Sequence, residues 1–364
     1  MTPRPPFGER GGSLRGLVDL ATGCYPAFLF GGSLSGVLPV FHFHDVTRDW
    51  LEPRLLYLRE NGYRAVTADE IARFVIDGVD HGPRAVALTF DDARASVWTV
   101  ATPLIAEYGL KIILFAIPGR VVDAPSVRAP GATGGDVFAT WPELRAMHAS
   151  GVVDIQSHTR SHAMIFWHER LVGFVTPDYA HEDVLARPIV ATNGAAHFLR
   201  PDELGTPLYP RRSRMSDARR FLADERAAER CRDHVSKNGG ARFFDDPAWR
   251  SQLETIAFER AGGFEADDTR AATIRAELVE GRALLNEKLG TTSVKHVALP
   301  WGISGAVTRG MLADAGYATA FAERPLKRRG VRAGDDRFQL MRLNAKFLTC
   351  LPGRGRQWFF NTVR

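Results

Sequence analysis

Along the first half of the chain, short unbroken apolar runs alternate with segments whose apolar positions recur at helical spacing. LPVFHF (38–43) precedes LEPRLLYLRENG (51–62), and AVALTF (85–90) precedes ASVWTVATPLIAEYG (95–109). LKIILFAIPG (110–119) precedes WPELRAMHASG (141–151), which leads into VVDIQS (152–157). Continuous apolar runs of this length predict strands buried on both faces, and the helically spaced segments predict the helices that cover them. Residues 68–78 fit a further helix with Thr67 as its N-cap, and Pro142 stands in the first turn of the helix over 141–151. Near the end of the chain the pattern resumes with RAELVEGRALLNEKLG (275–290) and VKHVALP (294–300). SGAVTRGMLADAG (304–316), YATAFAE (317–323) and FQLMRLN (338–344) complete it. Strand and helix alternating in this way predict βαβ units around a parallel sheet. The expected fold is α/β, a distorted or incomplete (β/α) barrel.

The alternation fails from about 165 to 268. That stretch is far longer than an ordinary strand-to-helix connection, so it reads as an insertion growing from one barrel loop. The expected organisation is a segment over 1–36 packed on the domain, a barrel over 37–345 carrying the insertion, and a tail over 346–364.

Composition narrows the class only a little. With 364 residues, 45% apolar and 24% charged, the chain is an ordinary globular one. A net charge of +5 is spread rather than massed on one helix, which argues against nucleic acid as a partner. Cys24, Cys231 and Cys350 are odd in number and far apart, so neither a disulfide framework nor a thiolate zinc site is expected, and a reducing compartment is. The N-terminus is basic (Arg4, Arg10, Arg15) and then apolar, but Asp19, Pro26 and several glycines interrupt it. The expectation is a cytoplasmic protein without signal peptide or transmembrane span.

In a parallel barrel the chemistry sits where the strands end. Here the strand ends carry His44-Asp45, Asp91-Asp92, Ser157-His158 and Pro300-Trp301-Gly302, and His162 follows His158 by four positions. Two imidazoles and one carboxylate with an open position make a catalytic zinc-type site, and either Asp91 or Asp92 can supply the carboxylate while its neighbour serves as a base. Taken singly, an Asp-Asp pair after a strand is a helix cap, a His-x-x-x-His pair a surface coincidence, and His44 a structural histidine. Their convergence on one rim is what favours a site. His42 shares a strand side with His44 and is a supporting candidate, whereas His296 begins its strand away from the rim. His81, His148, His168, His181, His197 and His234 have no partner at ligand spacing, and Arg211-Arg212-Ser213-Arg214 reads as a solvated face. No Gly-rich turn at dinucleotide-binding spacing follows a strand.

TFDD (89–92) with SHTRSH (157–162) downstream resembles the polysaccharide deacetylases, the NodB-homology enzymes of carbohydrate esterase family 4. The opening FHDV (43–46), and ELVEGRALLNEKLG with HVALPWG, look like the permuted poly-N-acetylglucosamine deacetylase branch. The resemblance spans about 37–164 and 270–345. It implies Asp91 as general base and Asp92, His158 and His162 as ligands of a divalent metal, zinc first, with cobalt, nickel or iron tolerated. It implies His44 as general acid, and the backbone N–H of Trp301 in the Pro300-Trp301-Gly302 turn as oxyanion donor. The expected reaction is hydrolysis of the acetyl group from an N-acetylated amino sugar, with a carbohydrate as partner. Hydrolysis of another amide or an O-acetyl ester, or a catalytically silent carbohydrate-binding protein, are the alternatives. Three positions depart from the family pattern: Ala93 stands for the usual Gly, Trp301 for Tyr or Phe, and Ala298 for the Arg that steadies the base. Arg342, ending the last apolar run, is the candidate replacement for that Arg.

Overall fold

The computed structural model describes residues 27–30, 34, 36–258, 262–323 and 330–362. Most of the N-terminal stretch that decides between a leader and a packed segment lies outside the described residues. Phe28 and Leu29 are described and are fully buried in the main apolar cluster.

The chain divides into two compact units, one of Met1–Ser161, Ala276–Ser304 and Arg309–Arg364, the other of His162–Arg275 with Gly305–Thr308. The division falls inside the SHTRSH loop. In the first unit the strands are β1 (Val40–Phe43), β2 (Arg64–Ala65), β3 (Ala85–Asp92), β4 (Ile112–Ala116), β5 (Val153–Ser157), β6 (His296–Ala298), β7 (Thr319–Phe321) and β8 (Leu343–Asn344). They form one sheet in the order β7-β6-β5-β4-β3-β1-β8, with β2 also on β3, and every pairing is parallel. Leu340 bridges to Phe321 in parallel, so the segment from Leu340 to Asn344 draws the two ends of the sheet together. This is the expected barrel, and it is distorted: β5 and β6 share the single register pair Ser157 and Val297.

Strand alternation decides what each face carries. All eight residues of β3 are buried. Val86, Leu88 and Phe90 join the large cluster that includes Leu51, Leu55 and Leu58 of helix α1 (Arg48–Glu60). Ala85 and Ala87 face the other way, into a cluster with Ile113, Phe115, Ala298, Phe321 and Leu340. Ile71, Phe74 and Val75 of α2 (Ala68–Asp77) belong to that second cluster, and α2 has the expected N-cap in Thr67, which forms a capping box with Glu70. Thr89 and Asp91 share parity with Ala85 and Ala87, so a charged group ends the row that lines the barrel interior.

Three elements are shorter than their sequence patterns. The helix over 95–109 starts at Ala95, passes through a π-turn, Val97–Ala101, where the Thr102 hydroxyl donates to the Val97 carbonyl at 2.7 Å, and ends as α3 (Thr102–Glu107). The pattern over 304–316 is helical only from Ala306 to Met311, and FQLMRLN pairs fully only at Leu343 and Asn344. Helices α4 (Trp141–Ala149) and α5 (Asp267–Leu289) appear where predicted, α5 starting eight residues before its periodic core.

The second unit is built from short antiparallel ribbons, such as Met164–Phe166 with Arg211–Ser213, and the helices Glu225–Lys237 and Trp249–Ala257. It has apolar clusters of its own around Cys231 and Leu253 and around Phe166 and Phe221. One reading needs correction here: Arg214 is not part of a solvated face. It is 4% exposed, and its guanidinium meets Glu265 at 2.5 and 3.0 Å, which compensates the buried charge.

No described helix is long and apolar enough to cross a membrane.

Candidate functional site

Asp91 is 2% exposed and is gripped through both oxygens. Nη1 and Nη2 of Arg342 each donate to it at 2.6 Å, and Nη1 also reaches the Thr89 hydroxyl at 3.1 Å. Thr89 in turn donates to the Phe41 carbonyl at 2.9 Å. The guanidinium carbon lies 5.6 and 5.8 Å from the ring centres of Phe115 and Phe321. A planar fork matched to a carboxylate fixes direction as well as charge. Burial alone would push Asp91 upward, but the Arg342 cation, followed by His158 and His44, outweighs it and holds the carboxyl far below the usual carboxylate range. Asp91 is thus an ionised carboxylate with a locked orientation.

Asp92 leaves the strand differently. It and Ala93 both have left-handed backbones, φ 71 and 57. Two such residues in succession turn the chain and re-aim the Asp92 side chain, at a local strain of about 1–2 kcal/mol for each. Gly at position 93 would lower that cost. Ala93 is fully buried and accepts the Ala139 N–H at 2.7 Å, so the strained turn is held from outside.

At the end of β5, His158 is 2% exposed, and its Nδ1 lies 2.7 Å from the Ala298 carbonyl. A carbonyl can only accept, so the Nδ1 proton is assigned and Nε2 presents a lone pair. That Nε2 lies 3.5 Å from Asp92 Oδ1. Thr159 and His162 are left-handed, φ 63 and 56, and fold the loop so that His162 returns to the same point. One ligand atom from each of Asp92, His158 and His162 lies within 4.8 Å of the others, with all three residues buried. Burial pulls the His158 imidazole down, but the Asp91 and Asp92 carboxylates overcome it and hold it above its ordinary value. The pocket therefore favours positive charge at Nε2. A donor set of two imidazoles and a carboxylate, all turned inward, fits a divalent transition metal.

The loop between the imidazoles is braced by α5. Glu277 accepts the Ser161 N–H at 2.9 Å and the Ser161 hydroxyl, and its own carbonyl accepts the Arg160 N–H at 2.9 Å. Gly281 lies so close that a Cβ there would come within 2.7 Å of the Arg160 nitrogen and 2.8 Å of the Thr159 carbonyl carbon. Backbone cannot retreat cheaply, so Gly281→Ala is expected to cost about 1–3 kcal/mol of stability. It should also weaken metal retention, because the displaced residues lie between two ligands. Thermal unfolding and metal content after dialysis check the two effects separately.

His44 stands at the end of β1 with its Nε2 3.8 Å from Asp91 Oδ2, and its side chain is 32% exposed. Its Nδ1 is buried without a hydrogen-bond partner among the described residues. The His42 ring meets it edge-on at 5.7 Å. Ser96 ties the next residue down by donating to Asp45 while accepting the Val46 N–H at 3.1 Å. Pro300 is buried at the end of β6, and Trp301 follows half-buried in a left-handed turn, φ 60.

The arrangement thus brings together Asp91, Asp92, His158, His162, His44 and Arg342. His296 instead pairs with Asp69 and Thr319 at the start of its strand, as its position implied. His197 pairs with Glu203 and His234 with Gln252 inside the second unit. Glu277, Gly281 and Arg94, whose Nε reaches Asp92 at 3.2 Å, were not singled out from the sequence. Arg94 was legible as a charged neighbour of a candidate ligand, but nothing in a helix pattern marks Glu277 or Gly281.

Residues 78–186 match the model of the family described as polysaccharide deacetylase, and this segment holds both aspartates and both imidazoles. Over 121 residues the chain is 31% identical to the poly-beta-1,6-N-acetyl-D-glucosamine N-deacetylase of Escherichia coli K12. The match covers 32% of this chain and 18% of that protein, so the chain spans about a fifth of the relative's length. Among solved structures it is similar to the BpsB deacetylase domain from Bordetella bronchiseptica, with a TM-score of 0.53 and 19% identity over 86% of this chain and 97% of that one. The resemblance to the polysaccharide deacetylases, and to their poly-N-acetylglucosamine branch, holds over these matched segments, and the parallel barrel is the fold shared with the BpsB domain.

Proposed function

We propose that this protein is a metal-dependent hydrolase that removes acetyl groups from N-acetylated amino sugars of a poly- or oligosaccharide. The observation that carries the reading is the placement of an Arg342-locked carboxylate, Asp91, beside the Asp92, His158 and His162 donor set. Similarity to a deacetylase of poly-N-acetylglucosamine supports the substrate class. When bound, a divalent metal supplies Lewis acidity that polarises an amide carbonyl and acidifies water. Asp91, ionised and fixed in direction, accepts the proton of the attacking water. His44, within reach of the same space and partly open to solvent, delivers a proton to the departing amine nitrogen. The family resemblance assigns the oxyanion donor to the backbone N–H of Trp301, in the turn after β6, and its half-buried indole is the candidate platform for a sugar ring. Products are acetate and a free amino sugar.

Metal analysis of the purified chain, together with acetate release from a panel of N- and O-acetylated glycans, tests the reading. Stoichiometric zinc and release from N-acetylglucosamine oligomers is the expected result, and a metal-free, inactive protein would sink it. His44→Ala is expected to keep its metal and lose about a hundred- to ten-thousandfold in kcat. Unchanged turnover would mean that the acid lies elsewhere.

A further inference from the structure

Arg94 lies two residues beyond Asp92, and the two oxygens of the Asp92 carboxylate have separate partners. Oδ1 faces His158 Nε2 at 3.5 Å, whereas Oδ2 accepts from Arg94 Nε at 3.2 Å. Both side chains are largely buried, 16% and 4% exposed. We infer that Arg94 is a positioning residue of the metal centre. It holds Asp92 to ligation through one oxygen and draws negative charge off the carboxylate. This rests on the reading of the triad as a metal site.

The reason lies in coordination chemistry. A carboxylate with both oxygens available can close on a metal in bidentate fashion and fill the position that a catalytic centre keeps open. Committing one oxygen to a fixed cation prevents this, and a ligand stripped of part of its charge leaves the metal a stronger Lewis acid. Arg94 is built in rather than resting on the surface. Ala95 donates to the Val137 carbonyl at 3.0 Å, and Ala139 donates to Ala93 at 2.7 Å, so residues 137–139 run antiparallel to the turn. The Phe138 ring lies 5.3 Å from the Arg94 guanidinium carbon. That segment is itself held by Arg128, which donates to the Asp136 and Phe138 carbonyls at 3.0 and 2.9 Å and clasps Glu143 at 2.6 and 2.7 Å. Glu143 is fully buried at the start of α4. A chain of contacts from a helix N-terminus therefore fixes the backbone on either side of Arg94.

The test uses the full chain, freed of metal by chelation and titrated with cobalt, whose visible absorption reports coordination number. Arg94→Ala is expected to bind cobalt stoichiometrically but with a weaker absorption band, as the carboxylate adds its second oxygen. Acetate release should fall about ten- to a hundredfold. Arg94→Lys restores charge without the fixed fork and should give an intermediate band; it also carries the comparison if the alanine variant folds poorly. Variants whose cobalt spectra and affinities equal those of the unaltered chain would overturn the inference while leaving the proposed function standing. An unaltered chain that takes up no cobalt would overturn both.

Discussion

Exchanging Asp92 for alanine is expected to remove bound metal and acetate release together. The donor set falls from three side chains to two, and among the described residues no other carboxylate groups with the two imidazoles. Asp91 cannot substitute, because Arg342 occupies both of its oxygens at 2.6 Å. Lewis-acid assistance is worth several kcal/mol of transition-state stabilisation, so a loss of about a thousandfold or more in kcat/KM follows. His158→Ala should behave alike, with the added effect of leaving the Ala298 carbonyl without its donor. The fold should persist, since the triad sits at the strand ends and the two apolar clusters of the barrel do not depend on it. Metal analysis, circular dichroism and acetate assay of one preparation decide the matter. A folded Asp92→Ala protein with stoichiometric metal would show that the ligand set is misassigned.

Asp91→Asn is expected to separate metal from chemistry. Its metal should remain, because Asp91 is turned toward Arg342 and His44 rather than completing the triad. Turnover should fall about a hundred- to ten-thousandfold, the usual range for loss of a positioned base. The substitution also carries a structural cost. The new amide would point one donor at a guanidinium that is itself all donor, leaving a buried cation with half its partner. Breaking a buried pair in this way costs about 3–5 kcal/mol at the upper end, so thermal unfolding must be read alongside kinetics. Arg342→Met should reproduce part of the kinetic loss by freeing the carboxylate to rotate. Combining the two changes should cost less than the product of the single effects, because both act through one pair. Full additivity would mean that Arg342 does not act through Asp91.

The alternation of apolar runs and helical spacings was enough to read a parallel barrel, because strand and helix periods are local and repeat through nearly the whole first unit. The candidate residues were legible for the same reason: His44, Asp91, Asp92 and His158 stand where an apolar run stops, where barrel chemistry gathers, and His162 follows His158 by four positions. The ordinary explanation of Asp91-Asp92 as a helix cap fails on a local detail that no spacing reveals. Both residues are still in β3, and the helix that follows starts only at Ala95, beyond the turn at Ala93 and Arg94. The second unit was legible only as a failure of pattern, since ribbons two to four residues long leave little periodicity to detect.

Residue types and their order along the chain thus determined the barrel and the set of groups at its rim. They also named Arg342 as the candidate to hold the base where Ala298 occupies the position of the steadying arginine, but not whether it reaches Asp91. Only the tertiary structure decided it. Arg342 reaches Asp91 across 251 residues of chain, because closure of the sheet between β1 and the last strand sets the two side by side. The division of labour between the aspartates is likewise a matter of backbone direction, with one in strand parity facing the interior and the other turned away by a positive φ. Contacts made by closure and side-chain aim set by a single dihedral leave no periodic trace in a sequence.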